Sequence, residues 1–306
     1  YKTTIRSEDG EPDLEIDAEQ YIQTFRPLSR EDHTEEEKAY IRKQLESFTM
    51  SPSALNSYLR SPREFKYQYL LHLPRTRSKH AALGTAVHGA LELQNQSTLK
   101  GMNVGYEELE TRFEKILRDE FEAEEEFERT LREGKSLLKK YYEGVVQQDT
   151  TSIIGAEYNF SYHPIFLEIS KNEALKLGGR IDAIYSIDDE AHLAGVIDYK
   201  TGTPKTEGQI RGTTKSSDGS TWRQLVFYKL LADLDSEFKF EGSDNKNHRY
   251  NVDTVEVRFV KEKNNKFRTE SFNVSSVDVM ELKDLIKEVW GKIKNLEFPE
   301  ETDIIL

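Results

Sequence analysis

Cysteine is absent from all 306 residues. That excludes disulfides, thiolate zinc sites and iron–sulfur clusters within the chain, and it fits a reducing, cytoplasmic setting. No apolar run approaches the ~18–20 residues that a membrane helix needs. A leader of basic then apolar residues is missing too, and the chain opens at Tyr1 without methionine, so it reads as a piece of something longer. Basic residues fall short of acidic ones, 43 against 56, for a net charge of −13. Taken alone, that sign argues against a nucleic-acid partner. The acids are unevenly spread, however: they crowd SEDGEPDLEIDAE and RDEFEAEEEFERTLREG. The stretch after residue 200 instead carries Lys205, Arg211, Lys215 and Arg223 with few acids.

What remains is a soluble composition, 36% hydrophobic and 32% charged, long enough for one large domain with a buried core. Residues 1–48 read as an acidic tail or linker from an upstream region, with one helical piece, TEEEKAYIRKQLESF. From Ser51 the pattern changes. Ser51-Pro52 and Ser61-Pro62 each give an N-cap with proline at the first helical position. Leu55, Tyr58 and Leu59, then Phe65, Tyr69 and Leu70, supply the inward residues. A further helix is expected from Gly84-Thr85, with His88 one turn in, and residues 106–146 read as one or two long amphipathic helices.

At Ile153 the apolar period becomes two. IIGAEYNFSY, LKLGGRIDAIYSI and HLAGVIDYKT are expected strands, residues 202–220 a mobile loop, and WRQLVFYKLLADL a helix. DTVEVRFV and KFRTESFNV form a hairpin, and the stripe from Leu282 to Ile293 marks a last helix. The order predicts a three-layer α/β arrangement.

The chemistry concentrates between Gly178 and Lys200. Asp198 and Lys200, two apart on a strand, project to one face, while Tyr199 faces the other way. Asp182 ends a similar apolar approach on the preceding strand. Charges at the end of a buried strand are costly unless they pair or coordinate a cation. Two carboxylates and an ammonium are equipment for metal-assisted phosphodiester hydrolysis. Each residue also has a bland reading: an ion pair for Asp198 and Lys200, and a satisfied helix histidine for His88. Glu157 is either a supporting carboxylate or an edge charge. Gln224 and Tyr228 share a helix face, and a buried Gln224 would need a partner. Gly134-Lys135-Ser136 imitates half of a phosphate-binding loop. The glycine required five residues earlier is Arg129, so no nucleotide site is expected.

The order S-P-S-x-L-N-x-Y, P-R-x-F-x-Y, G-T-x-x-H, G-R-I-D, V-I-D-Y-K-T-G and Q-L-x-x-Y resembles the RecB-type branch of the PD-(D/E)XK nuclease superfamily. More narrowly, it is similar to the nuclease domain at the carboxyl end of bacterial UvrD-like or AddAB-like helicase–nucleases. The resemblance spans about residues 50–295 and implies a restriction-endonuclease-like core, with a central mixed sheet flanked by helices and an N-terminal helical extension. It further implies His88, Asp182, Asp198 and the Tyr199 carbonyl as ligands of Mg²⁺ or Mn²⁺. Lys200 would be the catalytic lysine, with Gln224 and Tyr228 beside it. The implied activity is a deoxyribonuclease leaving a 5′-phosphate and a 3′-hydroxyl, an exonuclease on single-stranded DNA. A helicase region in the same polypeptide or complex would deliver the strand during DNA repair and recombination.

One departure is plain: many relatives place an iron–sulfur cysteine where Ser61 stands, and three more near the carboxyl end. Here ordinary packing must join the two ends of the domain. Two other readings fit the same residues: a nuclease-fold module that binds DNA without cutting, and a structural domain whose charges form ion pairs.

Overall fold

In a computed structural model the described residues are 3–4, 15–16, 34–73, 78–121 and 123–299. The chain divides into two compact units, residues 1–46 and 47–306. In the first unit, Thr3–Thr4 pairs antiparallel with Glu15–Ile16, and helix α1 (Glu35–Glu46) begins with three glutamates beside its amino end. The rest of the expected acidic tail lies outside the described residues.

The second unit opens with β1 (Thr49–Met50), α2 (Pro52–Arg60) and α3 (Pro62–Phe65), the last continuing as a wider turn to Leu70. Both expected N-caps form: the Ser51 hydroxyl accepts the Ala54 N–H at 3.1 Å, and that of Ser61 accepts the Glu64 N–H at 3.2 Å. Three long helices follow, α4 (Lys79–Leu99), α5 (Tyr106–Arg118) and α6 (Glu124–Gly144). Helix α4 starts five residues before the expected Gly84, because Ser78 caps it through the Ala81 N–H at 3.2 Å. Glycine is tolerated inside a helix held by tertiary packing.

Then come β2 (Ile153–Asn159), β3 (Ile165–Ser170), β4 (Glu173–Leu177), β5 (Arg180–Asp188) and β6 (Leu193–Lys200). The short α7 (Glu207–Arg211) precedes α8 (Ser220–Leu234). The chain closes with β7 (Lys239–Glu241), β8 (Asn247–Arg249), β9 (Asn251–Lys263), β10 (Lys266–Asn273) and α9 (Ser276–Lys294).

The central sheet runs β10-β9-β6-β5-β2, with β9 parallel to β6 and the other neighbours antiparallel. A smaller sheet, β1-β4-β3, stands apart from it. Ala183, Ile197, Tyr199 and Val260 pack into a core with α4, α5 and α6. Because side chains alternate along a strand, Asp182 and Asp198 face the opposite layer, where α8 packs against β9 and meets α2 and α9. This is the expected three-layer α/β order. Among the described residues, no helix is long and apolar enough to cross a membrane.

Two sequence features find structural explanations. A Cβ at Gly134 would stand 2.1 Å from the Phe113 ring, so this glycine admits α5 against α6. The neighbouring Lys135 pairs with Glu110 and Glu114. The imitation phosphate loop is therefore helix packing. Near Ser61 is an aromatic cluster: Phe65 lies 5.3 Å from Tyr69, 5.4 Å from Tyr58, 5.8 Å from Phe48 and 6.4 Å from Phe298. The Tyr58 hydroxyl also donates to the Glu297 carbonyl at 2.7 Å. This cluster joins the amino-terminal helices to the carboxyl-terminal segment.

Removing its central ring should be expensive. Phe65→Ala is expected to lower stability by about 3–5 kcal/mol, read as a shifted midpoint in urea unfolding.

Candidate active site

The β5–β6 ladder ends at Ala183↔Ile197, and beyond it the strands part. Into that gap the Asp182 carboxylate inserts as a substitute for backbone: its Oδ2 accepts the Tyr199 N–H at 2.8 Å. The Tyr199 carbonyl lies on the same edge of β6 as its N–H, so it too faces the gap. The other Asp182 oxygen, Oδ1, sits 3.2 Å from Nδ1 of His88, which arrives from the middle of α4.

Asp198 is 2% exposed. Its Oδ1 accepts hydrogen bonds from Gln224 Nε2 at 2.9 Å and from the Tyr228 hydroxyl at 3.0 Å, both from α8. Its Oδ2 faces the Lys200 ammonium at 2.9 Å, but it receives no hydrogen bond of good geometry. Lys200 Nζ instead donates to Gln224 Oε1 at 2.8 Å. Gln224 thus has the partners its burial demands, bridging lysine and carboxylate. The residues expected to act together, His88, Asp182, Asp198, Tyr199, Lys200, Gln224 and Tyr228, do come together at the ends of β5 and β6.

The electrostatics follow from this burial. Burial pushes the Asp198 carboxyl above the usual carboxylate range, and the Lys200 ammonium opposes this without cancelling it. Burial pulls His88 down, but the Asp182 carboxylate outweighs it, so the imidazole keeps its proton above the ordinary histidine value. Burial, reinforced by Asp198, drives the Tyr228 phenol far up, so it remains a donor.

Glu157 also belongs to this neighbourhood. The β2–β5 register sets it opposite Asp182, between the pairs Ala156↔Ala183 and Tyr158↔Ile181. Its φ of +52° is a left-handed conformation, uncommon for a non-glycine residue within a strand. Its Oε2 pairs with Arg180 Nε at 2.8 Å. Burial first, and Asp182 second, push its carboxyl up to about 7. Arg180 was not singled out from the sequence, although it stands in the G-R-I-D motif itself.

The segment 202–220, expected as a mobile loop, is folded. Thr206 and Gln209 form a capping box for α7, and Gly212 ends that helix in the left-handed conformation. Of the four cations Lys205, Arg211, Lys215 and Arg223, the last of them in α8, two are occupied. Arg211 stacks 4.3 Å from the Trp222 ring centroid and pairs with Glu207. Arg223 donates to Asn56 Oδ1 at 2.8 Å and to the Asp218 carbonyl at 2.6 Å.

The family model of the PD-(D/E)XK nuclease superfamily matches residues 49–303. The chain belongs to that superfamily. A search of curated proteins finds no match. Among solved structures, a protein from Eubacterium rectale provisionally named an exonuclease is 10% identical, with a TM-score of 0.48 and 88% of each chain covered. The protein SSO0001 is 13% identical, with a TM-score of 0.29, covering 81% of this chain and 87% of its own. Neither likeness carries weight beside the family match.

PD-(D/E)XK nucleases generally use divalent cations, and the donors at the strand ends suit one. They are two carboxylates, one imidazole and a backbone carbonyl, hard oxygen-rich ligands of the kind Mg²⁺ and Mn²⁺ take. Asp198 Oδ2 is buried and lacks a hydrogen bond, an acceptor whose unmet need a cation would meet. Among the described residues, no three His, Asp or Glu side chains converge on one point as they stand. Asp182 is turned toward His88 and the Tyr199 N–H.

The shift of Glu157 sets a pH dependence. Between its ordinary value near 4.5 and about 7, the folded chain holds a proton that the unfolded chain releases. Stability of chelator-treated protein therefore falls as pH rises through this window. Glu157→Gln is expected to be near neutral at pH 5 and to stabilise by roughly 1–3 kcal/mol at pH 8, measured as melting temperature against pH in EDTA.

Proposed function

We propose that this chain is a metal-dependent deoxyribonuclease domain of RecB type. In this reading it is an exonuclease on single-stranded DNA delivered by a UvrD-like helicase region of the same polypeptide or complex, in cytoplasmic DNA repair and recombination. The observation that carries the reading is the Lys200 ammonium. It is held at 2.9 Å from Asp198 and 2.8 Å from Gln224, beside the Asp182–His88 pair, in a member of this superfamily.

A bound Mg²⁺ or Mn²⁺ ion would activate water and offset charge developing on the phosphate. His88, Asp182, Asp198 and the Tyr199 carbonyl would hold it. Lys200 would lie next to the scissile phosphate, where an ammonium stabilises the crowded, more negative transition state. Gln224 fixes the ammonium and Asp198 in one geometry, so little reorganisation is needed during reaction. Tyr228, kept protonated by its surroundings, maintains the orientation of Asp198. The half-buried Tyr69 ring lines the cleft next to Lys200, and stacking on such a ring suits an unpaired base of any sequence.

A second reading, a DNA-binding module that does not cut, draws on the inward turn of Asp182 that leaves the ligands unconverged. Cleavage decides between the two. End-labelled single- and double-stranded DNA incubated with Mg²⁺, Mn²⁺ or EDTA is expected to be cut only with metal. Lys200→Ala and Asp198→Asn should each lose ~10²-fold or more in kcat. Metal binding by calorimetry with no cutting of either DNA would favour the silent module.

A further inference from the structure

On its lysine side the active site opens into a cleft of 660 Å³. Helix α2 forms one wall with Ser57 and Arg60, the segment after β6 contributes Lys205, and the amino-terminal end of α8 contributes Thr221 and Gln224. Lys200 lies in the same lining, so the cleft is continuous with the candidate catalytic centre.

Its charge is opposite to that of the molecule. The chain carries −13 overall, yet among the described residues no Asp or Glu lines this cleft, while three cations do. Lys200 is committed to Asp198 and Gln224. The other two are uncommitted. Arg60 is exposed at the end of α2, where its charge is felt by the Tyr69 phenol, and it has no carboxylate partner among the described residues. Lys205 has only a long contact, 3.4 Å, to the Thr221 hydroxyl. Ser57 adds a buried hydroxyl without a hydrogen-bond partner. Unpaired cations beside hydroxyl groups, in a cleft free of acids, suit a phosphodiester anion.

Nearby elements hold the cleft in shape. Asn56 receives the Arg223 guanidinium and donates to the Ser220 carbonyl at 3.0 Å, tying α2 to the start of α8. The two walls carrying Arg60 and Thr221 are therefore fixed relative to each other.

We propose that Arg60 and Lys205 form a subsite for a backbone phosphate of the substrate strand, distinct from the linkage that is cut. This rests on the nuclease reading for its orientation, since Lys200 marks the end of the cleft nearest the scissile phosphate. The subsite holds the strand on the lysine side of the site, and the opposite side remains to the His88–Asp182 pair. Its recognition is electrostatic and independent of base identity.

Binding of a fluorescein-labelled oligothymidylate to the full chain, followed by anisotropy in EDTA, tests this without cleavage. The Arg60→Ala/Lys205→Ala double variant is expected to bind ~10-fold or more weakly, and its slope of log Kd against log salt should shrink by roughly 1.4, two contacts at about 0.7 each. Lys215→Ala, at an exposed lysine outside the cleft, should do much less. In a second set, one neutral methylphosphonate linkage is moved along the oligonucleotide. One position should weaken binding to the wild-type chain but not to the double variant. Circular dichroism melts verify that the variants are folded.

An unchanged salt slope, an equal loss in Lys215→Ala, or no linkage whose neutralisation depends on Arg60 and Lys205 would overturn the subsite. Because binding is read in EDTA, the result stands whether or not the chain cuts DNA. Loss of cutting in Lys200→Ala tests the nuclease reading separately.

Discussion

A carboxylate almost wholly removed from water governs this structure. Asp198 at 2% exposure is tolerable only because an ammonium, an amide and a phenol surround it. Those three groups come from the strand's own end and from α8. Satisfying Asp198 therefore fixes where α8 lies against β6, and with it the wall of the cleft. The compensation is incomplete, since Oδ2 lacks a well-formed hydrogen bond and the carboxyl is held above its ordinary range. A site that binds a cation benefits from such a deficit, because full satisfaction by protein groups would leave nothing for the cation to supply.

Tyr199 shows how one strand serves two layers. Its side chain enters the helical core, with the hydroxyl 3.4 Å from Asn95 Oδ1 and the ring 6.5 Å from that of Tyr141. Its backbone N–H meanwhile orients Asp182. The anchoring side chain and the positioning backbone belong to the same residue, so movement of the ring would be felt directly at the Asp182 carboxylate. The alternation Asp198-Tyr199-Lys200 is thus the sheet's two-residue period applied to opposite tasks, the candidate site on one face and fixation on the other.

Much of this was legible in the residues. The shared face of Asp198 and Lys200 follows from strand geometry, and the ordered motifs located His88, Gln224 and Tyr228 around them. The capping serines announced α2 and α3 because a cap is a local interaction between neighbours. Less was legible wherever distant partners decide. Arg211 and Arg223 read as part of a basic stretch with few acids, but an aromatic pair and an asparagine from remote segments occupy them. The segment 202–220 looked mobile because glycine, serine and threonine signal turns. Thr206 serves instead as a cap, Gly212 as a left-handed helix end, and the Ser217 hydroxyl donates to the Gln209 carbonyl. Strand β3 escaped notice, as IFLEIS lies between apolar stretches whose register depends on β4.

The remaining tension is between an acidic chain and a polyanionic substrate. At ~0.1 M salt, exposed charges are screened beyond about 10 Å. Glutamates clustered along α6 therefore contribute little to the potential inside a cleft formed by α2, α8 and the end of β6. What an approaching phosphate meets is the local set: Lys200, Lys205 and Arg60, with no carboxylate in the lining. The acidic exterior still has a physical consequence. It disfavours adsorption of a DNA backbone on the acidic parts of the surface, and so favours encounters at a cleft where the sign is reversed. Net charge and binding preference are in this way separable properties, the first set by the whole surface and the second by a few uncompensated cations next to a buried carboxylate.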